Sequence, residues 1–395
     1  MTLSNVINFG SALQTYATVK AVEKLGCQCQ VIDYAYPSIW HTLHSPGCEN
    51  IASGSGIKYI IKKILVKVNL LRLAIAINYY YLLWTKKSAG LHAFADFKKR
   101  FFSTTKRYNR KSIIKNPPAA DIFVTGSDQT WNPRYTHSDF NFLLSFVSDD
   151  TPKLSYAASF GSSKLPDEYH HVYAQYLQRY ERISVREKSG VDLVKQLTDQ
   201  KAVHVLDPTL LLVKEEWELL ANNKLDLPEQ FIFCYILNYV FNPYPELGNL
   251  LKHLSEISGM PVVVCGIPPD SKVCNSTVLG LDIGPTGFLE CFSRASFVVT
   301  TTFHGAAFSV NFRKNFFTIL NPHSSSDDRV KSFLQSVNMT ERGLLLQETD
   351  ISSITVDNLK TDYTECEVSL KKMRDFSMNY LEEALNCACQ KLEKN

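Results

Sequence analysis

FVVTTTFHGAAFSVNF (297–312) passes from an apolar run of strand length, through three threonines and His304, into small and apolar residues with helical spacing. FIFCYIL (231–237), PVVVC (261–265) and FFTIL (316–320) are runs of the same kind, with helical or turn-rich segments between them. Strands that alternate with helices imply a parallel α/β sheet.

The first half of the chain repeats the pattern. Ser11 to Leu25 spaces Leu13, Tyr16, Ala17, Val19 and Leu25 as a helix that stops at Gly26, and QVIDY (30–34) reads as a short buried strand. DIFVT (121–125), LSYAAS (154–159), RISV (182–185) and VHVL (203–206) follow. At 395 residues the chain has room for two domains with their own cores. The expected division is 1–215 and 216–363, joined near Val213 to Asn223. The segment 364–395, helical from about Thr364 to Leu392, is expected to pack back on the first domain.

Composition excludes several classes. Hydrophobic residues make up 45% and charged residues 21%, as in soluble folded proteins rather than disordered or polytopic membrane chains. A net charge of +3 lacks the excess of a nucleic-acid binder, so any anion site is local. The ten cysteines form no CxxC pair, and Cys234 and Cys265 sit inside apolar runs, as reduced thiols do. Met1 to Gly10 has no secretory character. The expected location is cytoplasmic.

Ile57 to Lys87 holds seven basic residues and no acid. On a helix, Ile57, Ile60, Ile61, Ile64, Val68, Leu71 and Ile75 form one apolar stripe free of charge. The longest uncharged run, Leu73 to Thr85, is 13 residues, too short to cross about 30 Å of hydrocarbon. Two readings of the helix near 57–75 stay open: packing on its own domain, or lying on anionic lipid at the inner face of the cytoplasmic membrane.

No GxxxxGK[ST], HExxH or DxD occurs, and nothing in the sequence demands a metal or an organic cofactor. SGSGIKY (53–59) reads as a linker, and His41 and His44 as surface. The chemistry-bearing candidates stand where open α/β sheets place ligands, at the carboxyl ends of strands. In VTGSDQTWN (124–132), Gly126 leads to Ser127, Asp128, Gln129, Trp131 and Asn132, a ring and amide edges suited to a sugar, or else a turn with a buried Trp. Arg186 in ISVREKSG (183–190) either pairs with an acid such as Glu187 or directs its fork at a carboxylate or phosphate. Asp207 in VLDPTLLL (205–212) reads equally as a turn starter. Thr302, Phe303, His304 and Gly305 offer a helix start to an anion, with a His able to move a proton. Arg313, Lys314 and Arg329 add positive charge downstream.

Taken in order, NFGSALQTYAT (8–18), VIDY (31–34), TGSDQTWNP (125–133), SVREKSG (184–190), LDPTLLL (206–212) and TFHGAAFSVNF (302–312) resemble the polysaccharide pyruvyl transferase family. The resemblance runs from about Asn8 to Asn338. It implies two Rossmann-like domains facing across a cleft, the glycosyltransferase B architecture. It also implies transfer of the enolpyruvyl carbons of phosphoenolpyruvate, a donor substrate rather than a cofactor, onto a sugar of a surface or capsular polysaccharide precursor. The product is a cyclic ketal, and phosphate is released. Under it, His304 is the general acid–base residue, with Asp207 orienting it or a substrate hydroxyl. Arg186, Thr302, Phe303, His304, Gly305, Arg313 and Arg329 would meet the donor, and Asn8, Gln14, Ser127, Asp128, Gln129, Trp131 and Asn132 the acceptor. A lipid-linked oligosaccharide acceptor would give the basic helix a membrane contact. Two departures mark this chain: Thr302-Phe303-His304 stands where many relatives have Arg-Leu-His, and only Met1 to Ile7 precede Asn8, so the expectation is either a cropped first strand or a late start of the sequence.

Two other functions share these residues. A glycosyltransferase of the same architecture would place a nucleotide-sugar diphosphate at the His304 helix. A non-catalytic sugar-binding protein of a capsule assembly complex would keep the fold and bind without turnover.

Overall fold

The computed structural model describes residues 1–35, 89–221, 224–237, 241–322 and 329–393. The basic helix near 57–75, His41, His44 and the 53–59 linker lie outside the described residues.

In the first unit, β1 (Phe123–Thr125) pairs with β2 (Lys153–Ser155) and β3 (Ile183–Val185) with β4 (Ala202–His204), all parallel. Bridges from Leu154 to Arg182 and from Ala158 to Val185 join the two pairs into one run of strands. The expected strand at 30–34 is reduced to bridges at Val31 and Tyr34. Met1 bonds to Val124 and Gly126 on one side of the unit, while the Asn5 amide reaches Asp33 and Tyr34. The opening residues thus lie alongside β1 without a full ladder.

The second unit is a six-stranded parallel sheet in the order β10-β9-β8-β5-β6-β7. Its strands are β5 (Ile232–Tyr235), β6 (Val262–Cys265), β7 (Ser276–Leu279), β8 (Phe297–Thr300), β9 (Asn315–Ile319) and β10 (Gly343–Leu344). The apolar runs of β5, β6 and β8 are buried along their whole length, because helices cover both sheet faces. Chain order runs outward in opposite directions from the β5/β8 pair, so the sheet has its topological switch point there, where a crevice opens beyond the strand ends. Residues 276–279 and 343–344, both short and at sheet edges, carry no strand pattern that the sequence reading detected.

The architecture is two Rossmann-like units in the glycosyltransferase B arrangement, and the helices between them share a core. Helix α1 (Phe9–Lys24) starts at Asn8, whose Oδ1 accepts from the Ser11 amide, and ends before Gly26 in the left-handed region. Phe9 stacks on Phe288 of α3 (Gly284–Arg294), with ring centroids 4.6 Å apart and planes 7° from parallel. Helix α2 (Ala89–Phe101) closes the same cluster through Phe94. A first-unit helix is thereby clamped on the second unit, with its N-terminus held at the waist. Helix α4 (Phe303–Asn311) follows β8, and α5 (Arg329–Ser336) follows β9. Helix α6 (Thr364–Leu392) returns to the first unit, burying Tyr380, Leu381, Ala384 and Leu385 against Val22, Leu154 and Leu211. Ser377 of α6 accepts the Leu206 amide at 2.9 Å. None of the described helices is long and apolar enough to cross a membrane.

Candidate active site

A cavity of about 510 Å³ opens between the units at the carboxyl ends of β1, β5, β8 and β9. The first unit lines it with Leu3, Val6, Ile7, Asn8, Ser11, Asp128, Gln129 and Tyr135. The second lines it with residues after β5 (Leu237, Phe241), with Thr301 to His304, with Ile319 to Pro322, and with Arg329, Val330 and Lys331 at the start of α5.

The strand β8 ends at Thr300, and Thr302 caps α4 by accepting the Gly305 amide on its Oγ1 at 2.9 Å. That capping is chemistry an arginine cannot perform, since a guanidinium has no acceptor. The Phe303 and His304 amides precede the helix's own ladder and leave donors at this end. The Gly305 amide is taken by the cap, so Gly305 holds a close approach instead: a Cβ there would meet Thr300 and Thr302. This corrects its expected place among donor contacts.

Asp128, from the first unit, also lines the cavity and has a φ of 72°, in the left-handed region. Its Oδ2 accepts from Ser11 Oγ at 2.5 Å and its Oδ1 from the Gln129 amide at 2.9 Å. Burial alone would raise this carboxyl. The charges of Arg186 and His304 and the Ser11 bond outweigh it and bring the group below its ordinary value.

Beneath the cavity floor lies a buried ion cluster. Asp207 Oδ2 accepts from Arg186 Nη1 at 3.0 Å and Ser127 Oγ at 2.8 Å, and Oδ1 accepts from the Thr209 amide and hydroxyl. Arg186 Nε also meets Glu187 at 3.1 Å, and the Arg186 side chain is only 1% exposed. Burial would again raise Asp207, but His304, Arg186 and the Thr209 bonds carry it below its ordinary range. Glu187 goes the other way, raised because burial exceeds the help it gets from Arg186 and Ser159. Arg186 is therefore corrected from a substrate contact to support beneath the site, and of the two expected places for Asp207, beside His304 or at a substrate hydroxyl, the geometry has the first. His304 lies above them, 12% exposed, with Nε2 3.8 Å from Asp207 Oδ2. Burial holds its imidazole below the ordinary 6.5 against the pull of the Asp207 and Asp128 carboxylates.

Other expected contacts are displaced as well. Trp131 is fully buried among Phe160 and Tyr180, so no face is free to stack on a sugar. Gln14 is buried with its amide given to Thr2, Ser11 and Thr15. Ser127 is spent on Asp207, and Asn132 caps the turn at Pro133 while bonding Gln129. Arg313 is exposed and paired with Glu367 at 3.0 Å, outside the cavity. Asn8, Asp128, Gln129, Thr302, Phe303, His304 and Arg329 do meet in one wall system. Ser11, Tyr135 and Lys331 were missed. Ser11 stands in the quoted NFGSALQ run one helical turn from Asn8, a signal that was available; Lys331, beside Arg329 in a mixed polar stretch, gave none. Among the described residues no group of three or more His, Cys, Asp or Glu is placed to hold a metal ion.

Comparison with solved structures gives the UDP-GlcNAc 2-epimerase of Methanocaldococcus jannaschii, crystallised with UDP-GlcNAc and UDP. It has a TM-score of 0.42 and 11% identity, covering 70% of this chain and 81% of that one. The accessory secretory protein 1, 2 and 3 structure from Streptococcus pneumoniae has a TM-score of 0.34 and 12% identity, covering 70% of this chain and 56% of that one. No curated protein matches. The family model for polysaccharide pyruvyl transferases matches residues 8–324, most of the chain and every strand bordering the cavity, and on that match the chain belongs to the polysaccharide pyruvyl transferase family.

Proposed function

We propose that this protein transfers the enolpyruvyl group of phosphoenolpyruvate to two hydroxyls of a sugar in a surface-polysaccharide precursor, forming a cyclic ketal and releasing phosphate. The observation that carries the reading is that His304, the α4 start and Arg329 line one cavity together with Asp128, Asn8 and Ser11 of the first unit. Phosphoenolpyruvate bears a phosphate and a carboxylate. Arg329 and Lys331 line the cavity with the first turn of α4, and their charges and its amides suit those two groups. The acceptor hydroxyls face Asp128, Asn8 and Gln129, which offer carboxylate and amide oxygens.

In the reaction, His304 delivers a proton to the methylene carbon while one sugar hydroxyl adds to the substituted carbon. The second hydroxyl then attacks that carbon, the carbon–oxygen bond to phosphate breaks, and its proton leaves with phosphate. One hydroxyl proton is thus balanced by the new methyl hydrogen and the other by the released phosphate. Asp207, held by four hydrogen bonds, acts only through His304. The apolar wall of Leu3, Val6, Ile7 and Phe241 offers a place for the start of a lipid carrier on the acceptor.

The test is phosphate release from phosphoenolpyruvate with a panel of lipid-linked and aryl glycosides, with mass spectrometry of the acceptor. Release that depends on the acceptor, with a gain of one pyruvic acid less one water, is expected, and His304→Ala should abolish it without loss of fold. Turnover of a nucleotide sugar instead, or binding of sugar with no turnover of either donor, would overturn the reading.

A further inference from the structure

The two nitrogens of the His304 ring have different surroundings. Nε2 is buried, has no hydrogen-bond partner, and faces the Asp207 carboxylate at 3.8 Å. Asp207 is itself immobilised by Arg186, Ser127 and Thr209, so it cannot swing away. The face of the ring lies on Gly10 of α1, over Nδ1. A Cβ at Gly10 would stand 2.7 Å from Cε1 and closer still to Nδ1 and Cγ. Gly10 is buried in the first turn of α1. Its missing side chain is what admits the imidazole. Because His304 lines the cavity while its Nε2 is closed off, the nitrogen that a bound substrate can reach is Nδ1.

We infer that Nδ1 of His304 is the proton-exchanging nitrogen, that Nε2 keeps its hydrogen toward Asp207, and that Gly10 is the positioning residue that makes room for this ring orientation. The carboxylate behind the ring selects the tautomer, since a hydrogen on Nε2 points at a negative charge and leaves the Nδ1 lone pair toward the cavity. In the addition step Nδ1 takes the proton of the attacking sugar hydroxyl as the new carbon–oxygen bond forms, and the resulting Nδ1–H bond then breaks as the new carbon–hydrogen bond of the methyl group forms. The inference rests on the proposed role of His304, and it adds which atom acts and what holds it.

Nitrogen-15 NMR of protein carrying ring-labelled histidine tests it, with His304 assigned by its disappearance in His304→Gln. At pH 8, without ligand, Nε2 is expected to resonate as an N–H nitrogen and Nδ1 as a lone-pair nitrogen. Phosphoenolpyruvate is then expected to move Nδ1 more than Nε2. Gly10→Ala should lower kcat on the order of 100-fold, as a catalytic group displaced by about 1 Å does, and should disturb the tautomer signature of His304. A lone-pair Nε2 in the free protein, or a Gly10→Ala protein that folds and keeps wild-type kcat and tautomer, would overturn the inference. The expected tautomer with no response to phosphoenolpyruvate would instead overturn the donor reading and leave the ring geometry standing.

Discussion

The Arg186 guanidinium lies over the ring of Phe303, 4.5 Å from its centroid, so a cation of the first unit is packed on an aromatic residue of the second. Phe303 lines the cavity, and Arg186 lies under it with both Asp207 and Glu187 as partners. Removing the guanidinium strands two buried carboxyls. Arg186→Ala should therefore lower unfolding stability by about 3–5 kcal/mol in denaturant titration. A variant of unchanged stability whose only defect is a raised KM for the donor would return Arg186 to the role of an anion fork.

Trp131 gives a second test of support against contact. Its indole fills a pocket made by Phe160 and Tyr180, and truncation to Ala should cost about 3–5 kcal/mol. Trp131→Phe, which keeps most of the volume, should retain the KM for the sugar acceptor. An acceptor KM raised in a stable Trp131→Phe protein would show that the ring reaches the sugar.

These two residues also show where the sequence stops being legible. The strands β5, β6, β8 and β9 could be read because burial on both faces writes continuous apolar runs. The site at Thr302 to His304 could be read because the switch point of such a sheet always lies beyond strand ends. Trp131 and Arg186 follow strands in the same way, yet whether a side chain there turns outward to a ligand or inward to a partner is decided by residues far along the chain. For Arg186 that is Asp207, and for Trp131 it is Phe160 and Tyr180. Gly10 was hidden for a related reason, since the need for a glycine arises from a ring 294 positions away in sequence.

Thr302 separates capping from donor binding. Its Oγ1 accepts the Gly305 amide, so Thr302→Ala should destabilise by about 1 kcal/mol, whereas Thr302→Ser should stay close to wild type in thermal unfolding. Equal stability of the Ala and Ser variants would remove the cap from the account.

The His304 ring is faced by the Asp207 and Asp128 carboxylates and by the charges of Arg186 and Arg329, and burial sets the net shift downward from 6.5. A folded-state value below the unfolded one means that the unfolded chain takes up the proton first as pH falls. The contribution of His304 to stability is therefore complete above about pH 6.5 and declines as pH drops toward its lower folded value. His204 shifts in the same direction and remains in the variant, so the readout is the difference between wild type and His304→Gln. That difference should shrink below pH 6.5. A difference that grows on acidification would place the His304 value above its ordinary one.

Arg329 and Lys331 occupy the first turn of α5 on the cavity wall, while Arg313 stands outside it with Glu367. The charge of Arg329 is felt at His304, Arg186 and Glu187, which puts it within range of whatever anion His304 meets. A charge-assisted bond to a phosphate or carboxylate contributes about 1.5–3 kcal/mol, so Arg329→Ala should raise the KM for phosphoenolpyruvate roughly ten- to a hundredfold. Lys331→Ala, at an exposed position, should raise it only a few-fold, and less at higher salt. Arg313→Ala should leave it unchanged. Steady-state phosphate release across these three variants orders them directly. A donor KM that responds to Arg313 and not to Arg329 would move the anion site away from the wall that His304 shares.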